Sequence, residues 1–233
     1  MGVASAELVE TDCGLVPKGD GWFVLNAREA QWWQRGGRGV LCDFEGSGEG
    51  DTDFQQLGVN LTLLGPGEPM AMYHWEADQE DFLVLSGEAL LIIEGEERTL
   101  RQWDFVHCPP GTNHTIVGAG SSPCLVLAVG ARDRRKEEEW GAYTVDAAAL
   151  RHGAGVEQET TSGAYARFPP SKPTRYGDGW LPASDAQTQP HTESGRFAGE
   201  DRIIAPHGSR ECRTGAEWDP PLREQRRRYG HRG

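Results

Sequence analysis

GPGEPMAMYHWEADQEDFLVLSGEALLIIEGEERTLRQWDFVHCPPGTNHTIVG, Gly65 to Gly118, sets out two strand pairs and the polar residues they carry. His74 and Glu76 lie two apart, so on a strand both side chains leave the same face. Glu80 opens the apolar run Phe82 to Leu85, and His114 follows a Pro-Pro-Gly turn. If the two pairs close around one space, it holds two imidazoles and two carboxylates, a set suited to a divalent first-row metal.

Working outward, short strand-like runs repeat between glycines and prolines: Val59 to Leu64, Ala71 to Trp75, Asp81 to Leu85, Ala89 to Glu94, Asp104 to Cys108, Asn113 to Val117 and Cys124 to Val129. Runs at this spacing, with no βαβ unit, predict an all-β fold, an antiparallel jelly-roll β-barrel. Trp22 to Leu25 and Val40 to Phe44 read as further strands. Asn26 with Glu29 resembles a capping box for a helix through Gln34 that carries Trp32 and Trp33. Asp146 is placed to cap a second short helix, Ala147 to His152. The expected division is a flexible lead over 1–21, the barrel with its N-terminal extension over 22–153, and a long irregular tail over 154–233. The tail is polar and rich in proline and glycine, either docked or disordered. Its stretch TRYGDGWLP, Thr174 to Pro182, has the aromatics to dock.

The chain has 233 residues and a formal net charge of -13. Ten basic and 25 acidic residues precede position 151, against 13 and 11 after it. An acidic barrel argues against binding nucleic acid, which needs a concentrated basic surface. Arg226 to Arg228 is the dense basic run of the tail, and it reads as a solvated terminus. Five cysteines without a CxxC pair suggest neither a disulfide framework nor a zinc ribbon, and fit a reducing cytoplasm. No signal-like start and no membrane-length apolar segment is present, so the expectation is a soluble, cytoplasmic protein with no membrane partner.

Strand alternation puts Met70 and Met72 in phase with His74 and Glu76, and Phe82 and Val84 in phase with Glu80. The ligands then sit at one end of an apolar pocket walled by Met70, Met72, Phe82 and Val84, as in small-molecule sites. His107 reads as structural and Cys108 as a small buried hydrophobe. No arginine or lysine falls between Gly65 and Glu97, which counts against a strongly anionic substrate held by protein charge.

These residues resemble the cupin superfamily. The first cupin motif, GxxxxxHxHxxxExxxxxxG, is met at His74, Glu80 and Gly87, and the second, GxxxxxPxGxxHxxxN, at Pro109, Gly111 and His114. Four positions depart from it. Glu76 stands at the second histidine, Glu68 at the opening glycine, Trp103 at the glycine of the second motif and Gly118 at its asparagine. The resemblance implies one divalent metal on His74, Glu76, Glu80 and His114, with Glu76 either a fourth ligand or a catalytic base beside the metal. A carboxylate in place of an imidazole favours iron, manganese or zinc over copper. The expected function is a metal-dependent enzyme on a small organic molecule, an oxygenase first and an isomerase or decarboxylase next. The alternative is a non-catalytic small-molecule binder or sensor. The expected assembly is a homodimer, joined through the N-terminal region.

Overall fold

The computed structural model describes residues 2–46, 52–134 and 140–183. In chain order its strands are β1 (Glu7–Thr11), β2 (Gly14–Lys18), β3 (Trp32–Gln34), β4 (Val40–Cys42), β5 (Leu57–Leu64), β6 (His74–Glu76) and β7 (Glu80–Ser86). There follow β8 (Glu88–Ile93), β9 (Glu96–Arg101), β10 (Phe105–Cys108), β11 (His114–Gly118), β12 (Cys124–Ala131), β13 (Gly141–Tyr143) and β14 (Lys172–Thr174). One short helix, α1 (Ala147–Arg151), lies between β13 and β14. The fold is an antiparallel jelly-roll barrel, as the strand spacing predicts.

Two sheets face each other. One has the order β10-β7-β12-β5-β4-β3-β14 and the other β13-β6-β11-β8-β9. Inward-facing residues of both sheets, among them Leu64, Val84, Leu91, Ile116 and Val126, fill the core between them. The alternation of these strands fixes the register, since a one-residue slip would turn each apolar set outward. Gly87 allows the tight β7–β8 turn: its φ is 77°, and a Cβ there would lie 2.6 Å from the Pro123 carbonyl oxygen. Asp146 caps α1 as its sequence indicates, accepting from the Ala149 N–H at 2.8 Å. The helix packs Ala148 and Ala149 on Tyr73 and Ile92. Among the described residues no helix is long and apolar enough to cross a membrane.

Several expectations are corrected. Residues 27–34 do not form a helix. Asn26 starts a turn, accepting on its side chain from Arg28 N–H and on its carbonyl from Glu29 and Ala30 N–H. The turn stops there because Gln31 N–H bonds Leu15 and because Trp33 and Gln34 pair with Leu41 and Val40 in the sheet. Burial of both indoles, at 0% and 1% exposure, outweighs a local helix signal. Trp22 to Leu25 makes only an isolated bridge, Ser5 to Trp22, in place of a strand. The lead expected to be flexible carries the β1–β2 hairpin. The strand expected from Ala71 begins at His74, because bends occupy positions 70, 71 and 73. β9, EERTLR, lacks the apolar alternation of a half-buried strand because it is a largely exposed edge.

Beyond the barrel, β14 pairs with β3, and Tyr176 and Trp180 pack on Trp32 with ring centroids 6.2 and 5.2 Å away. The stretch Thr174 to Pro182 is thus docked on the barrel. The Arg226 to Arg228 run lies outside the described residues.

Candidate metal centre

Three elements position the site. β6 and β11 are neighbours with His74 opposite His114, and β13 puts Tyr143 on the other side of His74. Glu80 opens β7 on the facing sheet, opposite Cys108 of β10 and Gly130 of β12. The two sheets therefore converge with imidazoles on one side and a carboxylate on the other.

Each histidine is oriented by a backbone carbonyl. His74 Nδ1 lies 2.7 Å from the Met72 oxygen, and His114 Nδ1 lies 3.0 Å from the Thr112 oxygen. A carbonyl only accepts, so each Nδ1 carries a hydrogen and each ring turns its Nε2 inward. His114 Nε2 is 3.3 Å and His74 Nε2 3.7 Å from Glu80 Oε2, and Glu76 Oε1 is 3.5 Å from His74 Nε2. Ligand atoms of His74, Glu80 and His114 all lie within 4.8 Å of one another. His114 Nε2 and Glu80 Oε2 are buried with no hydrogen-bond partner. Two donors on one ion at about 2.1 Å each stand about 3.0–3.4 Å apart, a spacing that His114 and Glu80 meet at 3.3 Å and that a small side-chain shift would give His74 and Glu80, now 3.7 Å apart.

The electrostatics show the same convergence. Burial alone would raise the Glu80 carboxyl, but the His114 imidazole 3.3 Å away and that of His74 hold it below its usual value. His114 is pushed down by burial, yet the Cys108 thiol and Glu80 outweigh that and raise it. Glu76 is raised by burial and by Glu80, with His74 opposing. Tyr143 is raised by burial and by Tyr165.

The site opens into a cavity of about 110 Å³. Of the four residues expected to wall it, Met70 and Phe82 do so. Met72 and Val84 do not. The bends at positions 70, 71 and 73 break the strand alternation that placed Met72, which is buried with its sulfur near Arg167, and Ala71 lines the cavity instead. Val84 keeps the predicted parity but lies within the packed core. His107 is exposed and pairs with Asp81 at 2.7 Å, away from the cavity.

Residues far from the central stretch complete the walls. Arg35 and Arg38 enter from the β3–β4 connection, Thr62 from β5, Tyr143 from β13 and Tyr165 from the segment before β14. The inference against protein charge in the cavity is therefore corrected: the span without basic residues is real, but the arginines arrive from outside it. Nothing in the local pattern RGGRG identifies them, since only the β3–β4–β5 pairing brings them inward.

Residues 60–130 match the family model described as Cupin domain, so that segment is a cupin-type domain. Nothing among the curated proteins matches the sequence. Among solved structures, the chain is similar to a protein from Acidithiobacillus ferrooxidans named provisionally as a sugar phosphate isomerase. The two share 29% identity over 33% of this chain and 51% of that one, with a TM-score of 0.32. A sugar phosphate isomerase of the cupin superfamily from Silicibacter pomeroyi is 27% identical over 40% of this chain and 64% of that one, TM-score 0.33. The DMSP lyase DddQ from Ruegeria pomeroyi is 23% identical over 45% and 50%, TM-score 0.35. The chain thus spans about half the length of the first and third of these structures.

Proposed function

We propose that His74, Glu80 and His114 hold one divalent metal ion, iron, manganese or zinc, and that the protein is a metal-dependent enzyme acting on a small organic molecule in the adjoining cavity. The observation that carries this reading is the convergence of His74, Glu80 and His114, whose ligand atoms all lie within 4.8 Å of one another inside the barrel, with His114 Nε2 and Glu80 Oε2 3.3 Å apart. An imidazole and a carboxylate taken out of water carry a desolvation cost that a shared cation offsets.

Bound there, the ion supplies polarisation of a substrate carbonyl or carboxylate or, as iron, activation of dioxygen. The chain does the rest. The Met72 and Thr112 carbonyls keep the Nε2 lone pairs inward, as outer hydrogen bonds do at metal sites. Phe82, Ile116 and Ala128 line the cavity with apolar surface that limits water. Glu76, beside His74, is a base that takes or returns a proton at its carboxylate. Two histidines with one carboxylate resemble the facial triad of non-haem iron sites, so an oxygenase ranks first and an isomerase or decarboxylase next.

Elemental analysis of protein purified without added metal tests the site: His74→Ala and His114→Ala should each lose most of the metal. Full occupancy in both variants would remove the proposal. Oxygen uptake or product formation on a panel of small acids, sugars and phenols tests catalysis. Thermal stabilisation across that panel with no turnover would assign a binding module instead.

A further inference from the structure

Two phenols outside the family match meet beside the metal end of the cavity. Tyr143 of β13 and Tyr165 of the segment before β14 both lie beyond residues 60–130, and both line the cavity. Tyr143 is 1% exposed and pairs across β13 and β6 with His74, its ring centroid 5.9 Å from that imidazole. Tyr165 stands at a right angle to it, centroids 5.5 Å apart, with the Arg38 guanidinium over its ring at 4.3 Å. The Tyr165 hydroxyl accepts from the Met72 N–H at 3.3 Å, and the carbonyl of the same Met72 orients His74. The fold therefore uses the Tyr165 hydroxyl as an anchor, whereas Tyr143 is held by strand pairing and ring packing.

A phenol carries one hydrogen to donate and accepts on its oxygen. The pair has two hydrogens, and a bond between the two hydroxyls would use only one of them. Among the described residues neither hydroxyl donates to a further acceptor, and the Met72 N–H fills a lone pair on Tyr165 without offering one. Glu76 acts on Tyr143 through its charge, but its own contact is with His74 Nε2 at 3.5 Å. Burial keeps Tyr143 protonated, so the second hydrogen stays available. It is offered to whatever the cavity holds.

We propose that Tyr143 orients the substrate: backed by Tyr165, its hydroxyl donates to a carbonyl oxygen of the bound molecule while a second oxygen of that molecule reaches toward His74, Glu80 and His114. Tyr143 and His74 are cross-strand neighbours, so the two oxygens lie close together in the substrate. The class this selects is a small carbonyl compound with a second oxygen near the carbonyl, and the cavity volume of about 110 Å³ suits one of a few carbons. This deepens the functional reading and rests on it in one respect, that the cavity is where the small molecule acts.

The test is calorimetric titration of the full chain with acetohydroxamate, a carbonyl compound with a second oxygen on the adjacent nitrogen. It is run on wild type, Tyr143→Phe and Tyr165→Phe, as purified and after chelator treatment, with metal content and thermal unfolding measured in parallel. Tyr143→Phe keeps the ring and should bind the probe about tenfold more weakly, the loss of one hydrogen bond. Its metal content should match wild type and its Tm should not fall, because this hydroxyl serves the ligand and not the fold. Tyr165→Phe should lower Tm by a few degrees, since it leaves the Met72 N–H without an acceptor. Equal affinity in wild type and Tyr143→Phe, or no saturation of the wild type in either preparation, overturns the proposal. A loss of Tm in Tyr143→Phe as large as in Tyr165→Phe, or failure of Tyr143→Phe to fold, assigns the hydroxyl to the fold and overturns it as well. If no preparation holds metal, the metal reading falls alone and the ratio of affinities still decides for Tyr143. Metal present with that ratio at one sinks this proposal alone.

Discussion

Glu76 and Glu80 are both carboxylates in one buried site, yet their surroundings separate them. Glu80 lies against both imidazoles, at 3.3 and 3.7 Å, and is held low by them; Glu76 makes its ion-pair contact with His74 and is raised by burial and by Glu80. If Glu76 is the base, Glu76→Gln should keep the metal and lower turnover by about 10²–10⁴-fold, the usual range for a positioned acid–base group. Retained turnover in that variant would leave Glu76 a bystander. A second carboxylate predicts a pH effect remote from the site. Asp43 at the end of β4 is pushed up to about 7, first by burial, with Glu45 adding and Arg132 opposing. The folded state then holds a proton that the unfolded chain gives up near pH 4, so stability falls as pH rises from about 4 to about 7. Asp43→Asn keeps an acceptor for the Glu45 N–H and should raise stability on the order of 1–2 kcal/mol at pH 8. The gain should vanish at pH 4, and thermal unfolding at both pH values checks it. The three candidate ligands were legible because their spacing is set by strand period and by turns written in glycine and proline. Arg35 and Arg38 were not, because no local pattern aims them into the cavity.

At the scale of elements, two departures from the cupin motifs have physical reasons. Gly118 replaces an asparagine where a Cβ would lie 2.1 Å from the Gly65 carbonyl oxygen. There the Gly65–Glu68 turn lies against β11, with Gly67 N–H on the Gly118 oxygen and Gly118 N–H on the Glu68 oxygen at 2.8 and 2.9 Å. Trp103 replaces a glycine in the β9–β10 turn and holds φ at 75° with its side chain 66% exposed. A left-handed backbone costs a non-glycine residue about 1–2 kcal/mol, and glycine's own entropy returns part of that. Trp103→Gly should therefore stabilise the fold by about 0.5–1 kcal/mol, read as a rise of a few degrees in Tm. A fall in Tm would mean that the indole contributes more to stability than the left-handed backbone costs. The barrel strands were readable from alternation and turn residues, whereas elements decided by non-local pairing were not. Residues 27–34 carry a genuine local cap, but the sheet takes Trp32 and Trp33. β9 is mostly charged, four residues of six, and is a strand because β8 lies beside it.

At the scale of the molecule, the barrel unit is joined by a C-terminal segment whose Tyr165 lines the cavity, so a site readable in two short motifs is completed by residues far away in sequence. The remaining question at this scale is assembly. Trp22 is 60% and Val24 83% exposed, in the N-terminal stretch between the hairpin and β3. Large apolar side chains exposed together mark contact surfaces more often than solvated ones. A two-fold contact through this region is the commonest closed arrangement, and we propose a homodimer on that basis. Each copy carries a net charge of -13, so association works against long-range repulsion that salt screens within about 8 Å at physiological ionic strength. Sedimentation at micromolar concentration should give twice the chain mass, with tighter association as salt rises. Trp22→Glu combined with Val24→Glu should yield monomers that keep their metal. Exposed Phe105 on the edge strand β10 provides the contrast: if Phe105→Glu dissociates the dimer and the N-terminal pair does not, the contact runs through the sheet edge. A wild-type monomer at every salt concentration would dispose of the dimer altogether.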